Sequence, residues 1–269
     1  MSLKISEGGE YEKLETGLYQ GTCYQIVDMG TTEQEYEGQK SKKKRIQLTF
    51  EISKSLDIDG NEQPEAQARS TKMNDGRPFA VSALYTASLF ESAALRKHLV
   101  SWRGRQFTEE ELAGFDIDKL LGCTANVEVG LTKGGNPKIV GLYKPDGGVQ
   151  VVPTVNEIRA FDLDEYSKEW TGEMCDTSKK MCDIYDSLPM WIQNDIDDSF
   201  ELRAAKAKGE AAGFSRDGDE SSSVDELSAM PYQRPLVDSF LYLSHTLSSK
   251  SYLVEVLFAL LTANIFLSQ

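Results

Sequence analysis

Between residues 17 and 143 the chain carries five runs with strand patterning and one helical run, which falls between the third and the fourth. Residues 17–29 are rich in strand-forming types, with Gly21 where a curled strand would bend. Residues 44–53 alternate cleanly: Ile46, Leu48, Phe50 and Ile52 share one side, and Arg45, Gln47, Thr49 and Glu51 the other. Residues 79–86, 123–131 and 137–143 complete the set, with Ala125, Val127, Val129 and Leu131 predicted inward. Residues 30–43 and 133–136 read as hairpin loops, and 54–76 as a polar connection with a turn at 59–62.

The helical run, 88–103, places Leu95, Leu99 and Trp102 at i, i+4 and i+7, which makes one apolar stripe. Ser88, with Glu91 three residues on, predicts a capping box at its start. Thr108 followed by Glu109, Glu110 and Glu111 predicts a second, short helix, since acids favour a helix N-terminus. Three strands, a helix and two strands is the connectivity of the OB fold, a small barrel whose open face and loops hold oligonucleotides or oligosaccharides. The expected class is mainly β with helical additions: a five-stranded OB-type Greek-key barrel with a helix between strands 3 and 4, plus a C-terminal helix and a flexible acidic tail.

Composition shifts give the expected organisation. An N-terminal arm covers 1–16, an OB-fold nucleic-acid-binding domain 17–160, and a helical extension packing on the barrel 161–208. An acidic disordered linker covers 209–235 and an apolar C-terminal segment 236–269. Within the extension, 186–208 reads as one helix with Ser187 as cap and Pro189 in its first turn. Trp191, Ile192, Ile196 and Phe200 give that helix one apolar edge. Residues 252–267 are mostly apolar but interrupted by Glu255 and Asn264. They fall short of the roughly twenty residues a membrane span needs. A partner-binding or core helix is preferred to a membrane anchor, and a break in the reading frame is a third reading, because the composition changes sharply there.

The formal net charge of -14 argues against nucleic acid on its face, since phosphate contacts need Lys and Arg. The charge is unevenly placed, however. Residues 38–54 carry Lys40, Lys42, Lys43, Lys44, Arg45 and Lys54 against Glu51 alone. Residues 209–228 carry Glu210, Asp217, Asp219, Glu220, Asp225 and Glu226 against Arg216 alone. Either run also reads as plain solvated surface. Cys23 and Cys123 fall in strands as small core residues, while the spacing of Cys175 and Cys182 fits no common zinc site. With His98 and His245 the only histidines, no metal site is expected. The N-terminus has no apolar run of the signal-peptide kind, so a cytoplasmic setting is the expectation.

No Walker loop, GxSxG or HExxH occurs. The groups Asp162/Asp164 and Asp195/Asp197/Asp198 suit magnesium on paper but read better as helix surface. Binding residues are easier to place. The side of strand 2 opposite its apolar row offers Arg45 and Gln47, directly after Lys40, Lys42, Lys43 and Lys44. Lys72 and Arg77 lead into strand 3, Lys133 and Lys138 flank the strand 4–5 hairpin, and Arg103 and Arg105 follow the inserted helix. Such a set would track a phosphate backbone, with Tyr36, Tyr85 and Tyr143 stacking bases. Each has a duller explanation. Tyr85 and Tyr143 would plug barrel ends, Trp102 would be core, and the two arginines would satisfy helix C-terminal carbonyls.

With these residues in place, the chain resembles a family of bacteriophage single-stranded DNA-binding proteins with an OB-type core. The resemblance is carried by Gly17-Leu18-Tyr19, by Ile26-Val27-Asp28-Met29-Gly30-Thr31, and by Lys43-Lys44-Arg45-Ile46 leading into Phe50-Glu51-Ile52. It continues through Tyr85-Thr86-Ala87-Ser88-Leu89 and Ser101-Trp102-Arg103-Gly104-Arg105 with Phe107, and ends on Leu188-Pro189-Met190-Trp191-Ile192. The Trp-Arg-Gly-Arg-x-Phe block is its most specific part. The resemblance implies sequence-tolerant coating of single-stranded DNA during phage replication, recombination or repair in the infected host cell, with no catalysis and no cofactor. Proteins of this functional class often end in an acidic tail that recruits replication and recombination enzymes. Asp217, Asp219, Glu220, Asp225 and Glu226 would serve that role, although here residues 230–269 follow them. The alternative is an OB module that binds protein only, tethered to a membrane through its apolar end.

Overall fold

The structure is a computed structural model, and it describes residues 12–36 and 39–213. Six strands form one sheet: β1 (Gly17–Tyr36), β2 (Gln39–Leu56), β3 (Ala80–Thr86), β4 (Thr124–Leu131), β5 (Pro137–Tyr143) and β6 (Arg159–Phe161). Between β3 and β4 lie α1 (Ala94–Arg103), α2 (Glu109–Ala113) and a 3-10 turn (Ile117–Leu120). After β6 come α3 (Leu163–Thr171), α4 (Asp176–Ser187), α5 (Met190–Asp197) and α6 (Phe200–Ala211). The hydrogen-bonded order is β3-β2-β1-β4-β5, antiparallel throughout, with β6 added parallel to β1. This ladder is open, although its two edges, β3 and β5, come alongside each other and both meet α1.

Alternation in β2 explains the first core. Ile46, Leu48, Phe50 and Ile52 are buried and meet Leu95, Leu99 and Trp102, the single apolar stripe of α1. The Trp102 ring stands edge-on to Phe50 at 5.3 Å, and its indole N–H donates to the Thr124 carbonyl at 2.7 Å, fixing α1 to β4. Truncating a buried tryptophan of this kind costs about 3–5 kcal/mol. Gly104, in the left-handed region at φ 68°, ends α1.

β1 serves two cores, because successive side chains of a strand point to opposite faces. Ile26 belongs to the first core. Val27 and Met29 belong to a second, with Phe161 of β6 and Leu163, Tyr166, Ile184, Ile192, Ile196 and Leu202 of the helices. Beyond Asp28 the strand bulges, and its register with β2 shifts. Gly30 sits in that bulge at φ 68°, with its N–H on the Asp28 carboxylate at 2.9 Å. A Cβ there would lie 2.5 Å from Leu163 and 2.6 Å from Ser199, so any larger residue would collide with the helices.

Several expectations need correction. Residues 30–36 and 39–43 are not loop but the paired arms of a long hairpin, because the polar alternation there satisfies a ladder as well as an apolar one does. The inserted helix starts at Ala94 rather than 88. Ser88 instead accepts from the Phe90 N–H in a turn, and Ala93 stands at the cap without a side-chain bond. Thr108 does form a capping box with Glu111. The single helix expected over 186–208 is broken twice: Asp186 and Ser187, the expected cap, end α4, α5 starts after Pro189, and the Ser199 hydroxyl accepts from Leu202 N–H to start α6. Its expected apolar edge divides: Ile192 and Ile196 are buried, whereas Trp191 and Phe200 are exposed.

Candidate nucleic-acid interface

The basic run lies on the β2 side of the long hairpin, and the helices hold it in place. Arg45 reaches α5, where its guanidinium meets Asp195 at 3.1 Å. From the β1 side, the Thr31 N–H and hydroxyl donate to the Glu201 carboxylate of α6 at 2.8 and 2.6 Å. Burial pushes that carboxyl up, but the Thr31 hydrogen bonds outweigh it and Glu201 stays below the usual range. The Lys42 ammonium stands 4.0 Å over the Phe200 ring, a cation–π contact at the first residue of α6. Lys43 is exposed and has no ion-pair partner among the described residues. Lys40 pairs with Glu33 at 2.8 Å across the hairpin, and Lys44 with Asp28 at 2.8 Å.

The predicted site residues do not form one patch. Lys133 and Lys138 are exposed at the β4–β5 hairpin, which lies beside Gly17, the start of β1; the lysine run lies at the far end of that strand. Lys72 is exposed next to a bridge with Pro78, and Arg77 pairs with Asp75 at 2.7 Å. Arg103 and Arg105 both engage Glu111, and the Arg103 guanidinium also covers Phe107 and Phe115 at 4.4 and 5.1 Å. Arg103 is therefore a packing residue, and neither arginine turns to the helix carbonyls as the duller reading had it. Glu111 is correspondingly acidified to about 2, chiefly by the Arg105 hydrogen bonds and the Thr108 N–H.

Two expected contacts are buried. Gln47 is 3% exposed and reaches Ser82 at 3.4 Å. The polar row of β2 was expected to face solvent, but it is largely buried. Its Glu51 accepts the backbone N–H groups of Val155 and Asn156 at 2.9 and 2.8 Å and the Asn156 amide at 2.6 Å. Alternation reveals which side of a strand is polar, not whether another segment covers it. Tyr85 is 5% exposed, with its phenol on His98 Nδ1 at 2.8 Å, and burial raises the phenol and lowers the imidazole. Tyr85 is thus a core residue rather than a base platform. Tyr143 is 43% exposed and donates to Glu128 at 2.6 Å, so its ring remains accessible.

Tyr36 ends β1, but its side chain lies outside the described residues. So do Asp217, Asp219, Glu220, Asp225 and Glu226, and the apolar run 252–267. Among the described residues no group of three or more His, Cys, Asp and Glu suits a metal ion, and no helix is long and apolar enough to cross a membrane. The acids considered for magnesium have other partners. Asp162 caps α3 by accepting from Asp164 and Glu165 N–H, Asp195 holds Arg45, and Asp198 pairs with Arg203 at 3.6 Å. The contacts that position the basic run, to Asp195, Phe200 and Glu201, were not read from the sequence, because they join residues more than a hundred positions apart. Comparison with family models, with curated proteins and with solved structures finds no match.

Proposed function

We propose that this chain is a single-stranded DNA-binding protein of the phage OB-fold type, coating strands without strong sequence preference during replication, recombination or repair. In this reading the open sheet, with β3 and β5 drawn together over α1, acts as an OB-type barrel. The observation that carries it is the basic hairpin side, 40–45, held by α5 and α6. Among the described residues Lys43 there is unpaired and Lys42 is shared only with a ring. Phosphates would displace counterions there, and Tyr143 would offer a ring at the other end of β1. The role is non-catalytic and needs no cofactor. The acids at 217–226 would recruit replication or recombination enzymes.

Fluorescence anisotropy with a labelled oligonucleotide tests this. Binding should weaken steeply between about 50 and 200 mM salt. Absence of binding at the lower salt would refute it. One feature favours the second reading, a module that binds only protein. Lys40, Lys44, Arg45, Arg77, Arg103 and Arg105 are already paired with carboxylates, which reduces the charge left for phosphate. The same titration separates the two.

A further inference from the structure

Helix α5 meets the basic hairpin through Asp195, which holds Arg45. Trp191 stands four residues earlier, one turn along the same face. Its sequence neighbour Ile192 is 2% exposed and Ile196 is fully buried, yet Trp191 is 51% exposed. A tryptophan usually hides most of its ring, so one left half out beside a basic strip has no packing explanation. The strip supplies the complementary charge. Lys43 is unpaired among the described residues, and Lys42 lies over Phe200, the first residue of the next helix, α6. The acids of α5 are balanced: Asp195 by Arg45, and Asp197 by Lys206 at 3.0 Å and the Tyr185 hydroxyl at 2.9 Å.

We infer that Trp191 is a base-stacking platform, placed so that a single strand with its phosphates on Lys42 and Lys43 lays a base on the indole. This rests on the single-strand reading above and adds the helical extension to the binding surface. A ring bonded to no phosphate contributes stacking without counterion release. Its loss therefore weakens binding but leaves the salt dependence unchanged, whereas loss of a lysine changes both.

The test uses the full chain with Trp191→Ala and Trp191→Phe, titrated with labelled oligothymidylate across a salt series. Trp191→Ala should bind about 5- to 150-fold more weakly at an unchanged salt slope, and Trp191→Phe should recover most of the affinity. Oligonucleotide should also quench the tryptophan fluorescence of the parent protein, and Trp191→Phe should lose most of that quench, since Trp102 is buried and Trp170 is half-buried beneath Lys206. If the parent binds and Trp191→Ala binds equally well, or if the quench persists undiminished in Trp191→Phe, the platform is overturned while the single-strand reading stands. If the parent does not bind at low salt, the single-strand reading itself fails and the platform goes with it. The quench in Trp191→Phe decides the matter even if the alanine variant folds poorly.

Discussion

Arg45 of β2 and Asp195 of α5 meet at 3.1 Å, joining a hairpin to a helix 150 positions away. The Arg45 side chain is largely buried, and its Nε has no partner among the described residues. Replacing Asp195 with Asn should therefore cost about 1–2 kcal/mol, more than an exposed ion pair would, because a desolvated cation loses its counter-charge. Urea unfolding of the two proteins measures it.

Removing Lys42 and Lys43 together should weaken single-strand binding across all sequences alike. It should also make the plot of log affinity against log salt shallower by about 1.4, on the basis of roughly 0.7 for each phosphate no longer neutralised. Anisotropy titrations at four or five salt concentrations give that slope. An unchanged slope would mean that neither lysine touches phosphate.

Glu111 links Arg103, Arg105 and the Thr108 cap, and its carboxyl falls from 4.5 to about 2. A depressed carboxyl stabilises the fold fully above its unfolded value and loses that contribution as pH falls through the folded one. The gap in melting temperature between the parent and Glu111→Gln should be constant above about pH 5 and close towards about pH 2. Thermal melts across that range test the sign.

Tyr85→Phe should cost about 1 kcal/mol, since it removes the phenol and leaves His98 Nδ1 unpartnered. Oligonucleotide affinity should not change, because the Tyr85 ring is in the core. Denaturant melts and anisotropy on the same preparation check both halves.

Cys175 is exposed at the start of α4, and hydrogen bonds from the Ser178 hydroxyl and from the Ser178 and Thr177 N–H groups bring its thiol down to about 7. Burial pushes Cys23 and Cys123 the other way. Among these three, iodoacetamide should label Cys175 first, with the rate rising through about pH 7, as peptide mass spectrometry would record.

The sheet was largely legible in the sequence. β2 and β4 appear as alternating runs, β3 and β5 as short strand-forming runs, and the stripe Leu95, Leu99, Trp102 marks the inserted helix, because an apolar face imposes a period that survives without tertiary information. What could not be read depends on distant contacts. The arm of β1 past Gly30 is polar, and only pairing with β2 makes it a strand. The polar row of β2 is buried because Glu51 anchors residues 155 and 156. Of the candidate site, the basic run was legible as a cluster of charge, but neither its place in a strand nor the partners of its members were. Which lysine is neutralised depends on where Glu33 and Asp28 fall across the ladder.

Because β1 feeds Ile26 into one core and Val27 and Met29 into the other, the sheet with α1 and the later helices have no clean seam between them. An expression boundary drawn after β5 would strip β6 from its neighbour and bare a greasy stripe along the longest strand. The shortest self-sufficient fragment therefore ends after α6, and a shorter one is expected to precipitate.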